Sequence, residues 1–212
     1  MSGAALAPVL AHPVVARLAA SLGERPGEQL ALSDPLRRAA VALILRLGEA
    51  GALEFLLIRR AEYAGDPWSG QVALPGGRRE PADASLAETA IRETREETGI
   101  DLAAHGRLLG RLDELQPSNP VLPAIAIAPY VAVLAGAAVT TLSAEVSGSF
   151  WVPLAALREA RSWSEVTIEI RGMRREFPGF LYEGNVVWGL TERILTQFLR
   201  RIDPAWGSPS RA

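Results

Sequence analysis

The sequence predicts a mixed fold of the α/β or α+β class. Aliphatic runs of strand length alternate with segments of helical length along the chain. The chain has 212 residues, of which 49% are hydrophobic, so it can bury a substantial core. This length is typical of one domain with extensions.

The first part of the chain contains a helix, a connector and two strands. Residues His12 to Leu22 predict a short amphipathic helix, and Gly23 to Asp34 form a polar connector. Residues 39–45 and 53–60 are aliphatic with a short glycine-containing turn between them, which predicts a hairpin or two neighbouring strands. Residues 63–70 are rich in turn-forming side chains and are expected to form a loop.

A central helix is expected to begin after Ser85, because Ser85 and Glu88 form a capping-box pattern. Gly99 marks its expected end. Further strands are predicted at residues 106–115, 125–134, 150–152 and 165–170, and a closing helix at residues 187–202.

Composition limits the classes of partner. The net charge is −2, so the chain lacks the basic field that would hold a polynucleotide by its phosphates. It has no cysteine, which excludes disulfides, thiolate metal sites and a cysteine nucleophile. No apolar stretch approaches the ~20 residues of a membrane span, and residues 1–22 lack the basic start of a secretory signal. We expect a cytoplasmic protein that binds neither nucleic acid nor membranes.

The central helix carries a cluster of carboxylates. Glu93, Glu96 and Glu97 lie at positions i, i+3 and i+4, so a helix presents them along one stripe. Three like charges so close together repel one another unless a cation lies among them. The stripe therefore predicts a site for Mg²⁺ or Mn²⁺, although a solvated helix face is the alternative interpretation of the glutamates alone.

The segment from Gly76 to Ile100 resembles the Nudix box, a signature that runs Gly, five residues, Glu, seven residues, Arg-Glu-apolar-any-Glu-Glu-any-Gly-apolar. Residues 92–100 match its second half, with Thr94 at a position that is usually apolar. Asp83 replaces the first Glu, and eight residues rather than seven separate it from Arg92. This longer spacing, with Thr89-Ala90 before the Arg-Glu pair, is similar to the coenzyme A pyrophosphatase branch of the family.

Other segments extend the resemblance over most of residues 39–200. Residues 145–154 resemble the Glu-Val and Trp-Val-Pro-Leu segment of the same branch, and residues 187–191 its Trp-Gly-x-Thr motif. Residues 62–69 depart from it, because an Arg and a His usual in the branch are missing there. The resemblance implies an α/β/α sandwich with a mixed sheet. It also implies an N-terminal helical extension and connector (1–35), a Nudix domain (36–203) and a C-terminal tail (204–212).

The resemblance also implies roles for single residues. The metal ligands would be the carboxylates of Glu93, Glu96 and Glu97 and the backbone carbonyl of Gly76. Arg92 would orient a ligand carboxylate, and Glu145 would serve as general base. The substrate-binding candidates are Arg60, Trp68, Gly76 and Gly77.

Several of these residues have simpler interpretations that the sequence leaves open. Asp83 could assist the site or cap the helix. Glu145 and Arg60 could be surface residues, and Trp68 could pack its loop against the core instead of stacking on a base.

The implied function is a metal-dependent pyrophosphohydrolase for a small nucleoside diphosphate derivative. Coenzyme A or an acyl-coenzyme A is the leading substrate, and ADP-ribose, NADH or a (deoxy)nucleoside triphosphate is the alternative. A Nudix-fold module that senses a nucleotide without hydrolysing it is the alternative from another class. The intact residues Arg92, Glu93, Glu96 and Glu97 argue against that module. A homodimer is possible.

Overall fold

Two β-sheets and five α-helices make up the part of the chain that the structure describes. The structure is a computed structural model, and it describes residues 3–31, 37–65, 68–117, 125–136, 138–170 and 172–207. The helices are α1 (Ala7–Ala11), α2 (Pro13–Glu24), α3 (Leu86–Thr98), α4 (Leu102–His105) and α5 (Gly189–Ile202). The strands are β1 (Arg38–Leu47), β2 (Leu53–Arg60), β3 (Val72–Ala73), β4 (Gly76–Arg78), β5 (Gly106–Arg111), β6 (Ala126–Leu134), β7 (Val146–Pro153), β8 (Trp163–Ile170), β9 (Met173–Tyr182) and β10 (Asn185–Trp188).

Strand β1 lies at the centre of a seven-stranded mixed sheet. It runs parallel to β6 and antiparallel to β2 and β4. Strand β5 pairs with β6, while β3 and β7 pair with β2. Because β1 is covered on both faces, its sequence is an almost unbroken apolar run instead of an alternating one.

The two faces of β1 pack against different helices. Ala40, Ala42 and Ile44 lie in the cluster that contains Ala90 of α3. The intervening residues, including Leu43 and Leu45, lie in a larger cluster with apolar residues of α2 and α5. The small side chains on the first face let α3 approach the sheet closely. The result is the α/β/α sandwich with a mixed sheet that the resemblance implies.

Helix α3 has the predicted ends. The Ser85 side chain accepts a hydrogen bond from the Glu88 amide at 3.2 Å, and the Glu88 carboxylate accepts one from the Ala84 amide at 2.9 Å. The helix ends at Thr98, before Gly99. Thr94, the unusual residue of the box, is fully buried and donates to the carbonyl of Ala90 at 2.7 Å. Its hydroxyl is therefore satisfied within the helix.

Strands β8, β9 and β10 form a separate antiparallel sheet that the sequence only partly predicts. Strand β9 is missed because Pro178 and Gly179 interrupt its pattern. The closing helix begins two residues after its predicted start at residue 187, because Val187 and Trp188 pair with β9 as part of β10.

Other boundaries also differ from the predictions. The predicted strand 106–115 ends at Arg111, and Leu115 forms only a single bridge to Ile127. Strand β7 extends on both sides of the predicted 150–152, because its whole length pairs with β2. His12 precedes the helix as its cap, and its ring nitrogen accepts from the Val14 amide.

The N-terminal helices belong to the core of the sandwich. Val15, Leu18 and Leu22 of α2 are buried against the central sheet. At the other end, the Trp206 ring lies 5.1 Å from that of Trp163. The predicted division at residues 35 and 36 lies outside the described residues, as do parts of the predicted connector, of the 63–70 loop and of the C-terminal tail. No helix in the described part is long and apolar enough to cross a membrane.

A buried ion-pair cluster fastens the connector to the sheet. The fully buried carboxylate of Glu114 lies 3.0 Å from Arg38 and 3.4 Å from Arg111. It also accepts a hydrogen bond from the Leu30 amide at 2.9 Å. The Arg111 guanidinium donates to the carbonyl of Gly27 at 2.8 Å. One acidic side chain therefore joins the connector, β1 and β5.

We expect Glu114→Gln to lower the free energy of unfolding by about 3 kcal/mol, because it leaves two arginines without their buried counter-charge. Urea unfolding at neutral pH measures the change. Glu28→Gln is the matched control, since the Glu28 side chain is exposed on the same connector. Equal stabilities of the two variants would contradict the assigned role of the cluster.

Candidate active site

The buried carboxylate of Glu97 joins α3 to β4. Its Oε2 accepts a hydrogen bond from the Gly76 amide at 2.8 Å, and the residue is only 3% exposed. Burial raises the pKa of Glu97 to about 7; the Gly76 amide and Arg60 oppose this shift, and the charges of Glu93 and Glu145 add to it. A carboxylate with such a pKa lacks compensating positive charge.

Glu93 lies one helical turn before Glu97 and faces the same glycine turn. A Cβ atom on Gly77 would overlap the Glu93 carboxylate, and one on Gly76 would overlap the backbone of β1. Glycines at both positions therefore make the close packing of α3, β4 and β1 possible. Burial raises the pKa of Glu93, and Arg92 partly opposes the shift.

The guanidinium of Arg92 connects three carboxylates. Its Nη1 lies 3.0 Å from the Glu93 carboxylate and donates to Glu96 at 2.9 Å. Its Nε and Nη2 donate to the two carboxylate oxygens of Asp83, each at 3.0 Å. Arg92 thus holds Glu93 and Glu96 from one side while Asp83 fixes it from the other.

Asp83 holds the guanidinium of Arg92 in place. The sequence alone leaves open whether Asp83 assists the site or caps the helix. The residue is 5% exposed, and its Oδ2 also accepts from the Thr89 hydroxyl and the Glu80 amide, both at 2.9 Å. The hydrogen bonds from Arg92 are the main reason that the pKa of Asp83 lies far below its ordinary value. The α3 cap is Ser85, not Asp83.

A cavity of about 1500 Å³ opens beside Glu93 and Glu97. Arg60 lines it, with its Nη1 3.9 Å from Oε1 of Glu97. Glu145 is exposed where β7 begins, and its carbonyl accepts from the Ala61 amide at the end of β2. Trp68 is half-buried and lines the same cavity.

The structure therefore gathers most of the predicted site residues around one cavity. The predicted residues that line it are Arg60, Trp68, Gly76, Gly77, Glu93, Glu97 and Glu145. Glu96 is directed towards Arg92, and its side chain is 58% exposed. Among the described residues, no three His, Asp or Glu side chains converge closely enough to enclose a metal ion. The catalytic and ligand roles of these residues remain predictions.

Sequence reasoning missed another part of the cavity lining. The β8–β9 hairpin contributes Ile168, Ile170, Met173 and Phe177 to it, together with Glu169, Arg175 and Pro178. The alternation of apolar and polar residues in 165–170 predicts a strand but not what the strand faces. Strand β9 gives no clear pattern of its own, so no local signal could have found this wall.

Comparison with known proteins identifies the family. Residues 36–169, more than half of the chain, match the NUDIX domain. The chain belongs to the Nudix family. The uncharacterized Nudix hydrolase NudL of Photorhabdus laumondii is 33% identical over 172 residues, which cover 81% of this chain and 88% of that protein. The NudL protein of Yersinia enterocolitica is 34% identical over 151 residues, 70% of this chain and 73% of the relative.

A solved structure has the same Nudix fold. The MutT/nudix family protein from Enterococcus faecalis superimposes with a TM-score of 0.54 and 20% identity, over 82% of this chain and 65% of that one. At this identity the likeness concerns the fold alone. With the family match, it places the Nudix box on α3 of an α/β Nudix sandwich. The chain is thus a Nudix hydrolase that acts on pyrophosphate bonds.

We expect Asp83→Asn to lower the free energy of unfolding at pH 7 by about 2 kcal/mol, because it weakens the paired hydrogen bonds to Arg92. Since the pKa of Asp83 is lowered in the folded state, its contribution is complete above its unfolded value near 4 and is lost as the pH falls further. The difference between wild type and variant should therefore shrink below about pH 4.

Urea unfolding from pH 7 to pH 3 measures this difference. Glu80→Gln is the control, because the Glu80 side chain is 60% exposed and 3.9 Å from Arg92, too far for a strong contribution. A difference that stays constant with pH would show that the Asp83 charge does not stabilise the fold.

Proposed function

We propose that this Nudix hydrolase cleaves the diphosphate linkage of coenzyme A or an acyl-coenzyme A in the cytoplasm, with Mg²⁺ or Mn²⁺ as cofactor. The observation that carries the reaction is the pair of carboxylates that line one large cavity, the buried Glu97 and the half-buried Glu93. The coenzyme A assignment is supported by the box spacing, by Thr89-Ala90 and by the 145–154 segment.

The residues around the cavity suit a divalent cation. Glu93 and Glu97 offer hard carboxylate oxygens, and their raised pKa values indicate negative charge without enough compensation. Mg²⁺ commonly takes only one or two protein carboxylates and completes its shell with water and substrate phosphates. Glu93 and Glu97 would hold the ion, with Glu96 and the Gly76 carbonyl as further candidates. A bound cation supplies charge neutralisation on the phosphates and a more acidic water.

Side chains of the protein would supply the other roles in the reaction. Water adds to one phosphorus of the diphosphate, the bridging P–O bond breaks, and two phosphate monoesters leave with release of a proton. Glu145 would accept that proton, since it is an exposed carboxylate at the cavity whose charge acts on both Glu93 and Glu97. Arg60 would contact a phosphate, and Arg92 would orient Glu93.

Glu97→Gln should lower kcat by about 100-fold or more, because the amide cannot supply the charge that balances a cation. A phosphate-release assay with Mg²⁺ or Mn²⁺ measures it, and circular dichroism checks the fold. Glu88→Gln is the control on the same helix, since glutamine also serves a capping box. Rates of the Glu97 variant near those of wild type would refute the assignment.

Glu145→Gln should lower kcat by about 100-fold with little change in KM, because the proton acceptor is lost while the walls of the cavity stay intact. Glu62→Gln is the control, since Glu62 is another exposed carboxylate at the same cavity. Equal losses in both variants would point to a general effect of charge and would rule out Glu145 as the base.

Substrate identity is decided by a metal-supplemented screen of coenzyme A, acyl-coenzyme A, ADP-ribose, NADH and nucleoside triphosphates. The proposal expects the highest kcat/KM for the coenzyme A compounds. Because residues 62–69 depart from the branch pattern, ADP-ribose, NADH and (deoxy)nucleoside triphosphates are the alternative substrates. Binding without turnover of any compound would instead indicate a sensing module.

A further inference from the structure

The β8–β9 hairpin presents an apolar face to the reaction cavity. In β8, Val166, Ile168 and Ile170 are partly buried, whereas the residues between them are exposed. Their cross-strand partners in β9 are Phe177, Arg175 and Met173, respectively. Opposite residues of an antiparallel pair share a face, so these six side chains form one surface. Five of them are apolar, and the stem of Arg175 can cover apolar area.

This face is incompletely covered in the described part of the chain. Met173 is 53% exposed, although it is a large apolar side chain. Ile168, Ile170 and Met173 line the same cavity as Glu93, Glu97 and Glu145. Phe177 also lines it and contacts Trp188, with ring centroids 5.1 Å apart. An uncovered apolar patch that continues into a reaction cavity indicates a binding surface.

The size of the cavity indicates what this surface binds. Its volume of about 1500 Å³ exceeds the roughly 300–1,000 Å³ of common ligand pockets. The carboxylates, Arg60 and the glycine turn occupy one side, where the diphosphate would react. The hairpin forms another side, and most of it lies beyond residues 36–169, which the family match covers.

We propose that the hairpin face, defined by Ile168, Ile170, Met173 and Phe177, is a specificity wall that binds an extended apolar substituent on the second phosphate of the substrate. This inference rests on the proposed function. It assigns the substituent on the second phosphate of the substrate to the hairpin face. Nucleoside diphosphate derivatives with a long apolar arm are then preferred over those with a compact one, whatever the chemical identity of that arm.

The test uses ADP esterified on its β-phosphate with a methyl or an octyl group. Hydrolysis converts both esters to AMP and an alkyl phosphate, so only chain length differs. Wild type should show a KM at least about tenfold lower for the octyl ester, because burying two methylenes already gives that factor. Ile168→Asp should remove most of this preference, because it places a charge where the octyl chain would be buried.

Thr167→Asp is the matched control, because it adds the same charge to the exposed opposite face of β8. It should preserve the octyl preference. If Ile168→Asp does not fold, Ile168→Ser takes its place and should also remove most of the octyl preference. An equal KM for both esters in wild type, or equal effects of the two aspartate variants, would overturn the inference.

Titration calorimetry of both esters in EDTA separates this inference from the proposed function. If neither ester nor any diphosphate is hydrolysed with metal, the proposed function fails. Tighter binding of the octyl ester that Ile168→Asp abolishes would still support the wall. Light scattering tests the alternative that a second copy of the chain, and not the substrate, covers the hairpin face. A shift from dimer to monomer in Ile168→Asp, without any change in ester preference, would overturn the substrate wall.

Discussion

The hydrogen bond from the Gly76 amide to the Glu97 carboxylate is the constraint on which the candidate site depends. It joins the helix of the Nudix box to β4, the short strand that pairs with β1 at the centre of the sheet. A carboxylate is costly to bury, and one backbone amide does not compensate its full charge. The fold thus keeps an acidic group in the wall of the cavity, where a free cation or a cation bound to phosphate would bind to it.

Arg92 explains how several acidic side chains can lie close together on α3. Asp83 is buried and fixes the guanidinium through two hydrogen bonds, so Arg92 can still neutralise part of the charge on Glu93 and Glu96. Glu97 is turned away from this pair towards β4. The acids of the box are therefore not equivalent: one is desolvated, one lies between Arg92 and the glycine turn, and one is mostly solvated.

The parts of the fold that the sequence predicts are those with local signals. The ends of α3 follow from Ser85, Glu88 and Gly99, and β1 and β2 follow from continuous aliphatic runs. Asp83 could not be assigned from sequence, because its role depends on contacts across nine residues of chain with Arg92. The same limit applies to Glu145, since only the pairing of β2 with β7 brings the start of β7 to the cavity.

The small sheet shows most clearly why local patterns stop short of function. The sequence pattern does not separate β10 from the start of α5, because Val187 and Trp188 suit a strand or a helix and only their pairing with β9 decides between the two. Strand β9 is itself hidden by glycine and proline, whose positions are tolerated because the strand pairs on both sides. The predicted metal ligands Glu93, Glu96 and Glu97 lie in one continuous segment, whereas the hairpin part of the cavity lining is assembled from two paired strands. Sequence therefore predicts the reaction more readily than the substrate.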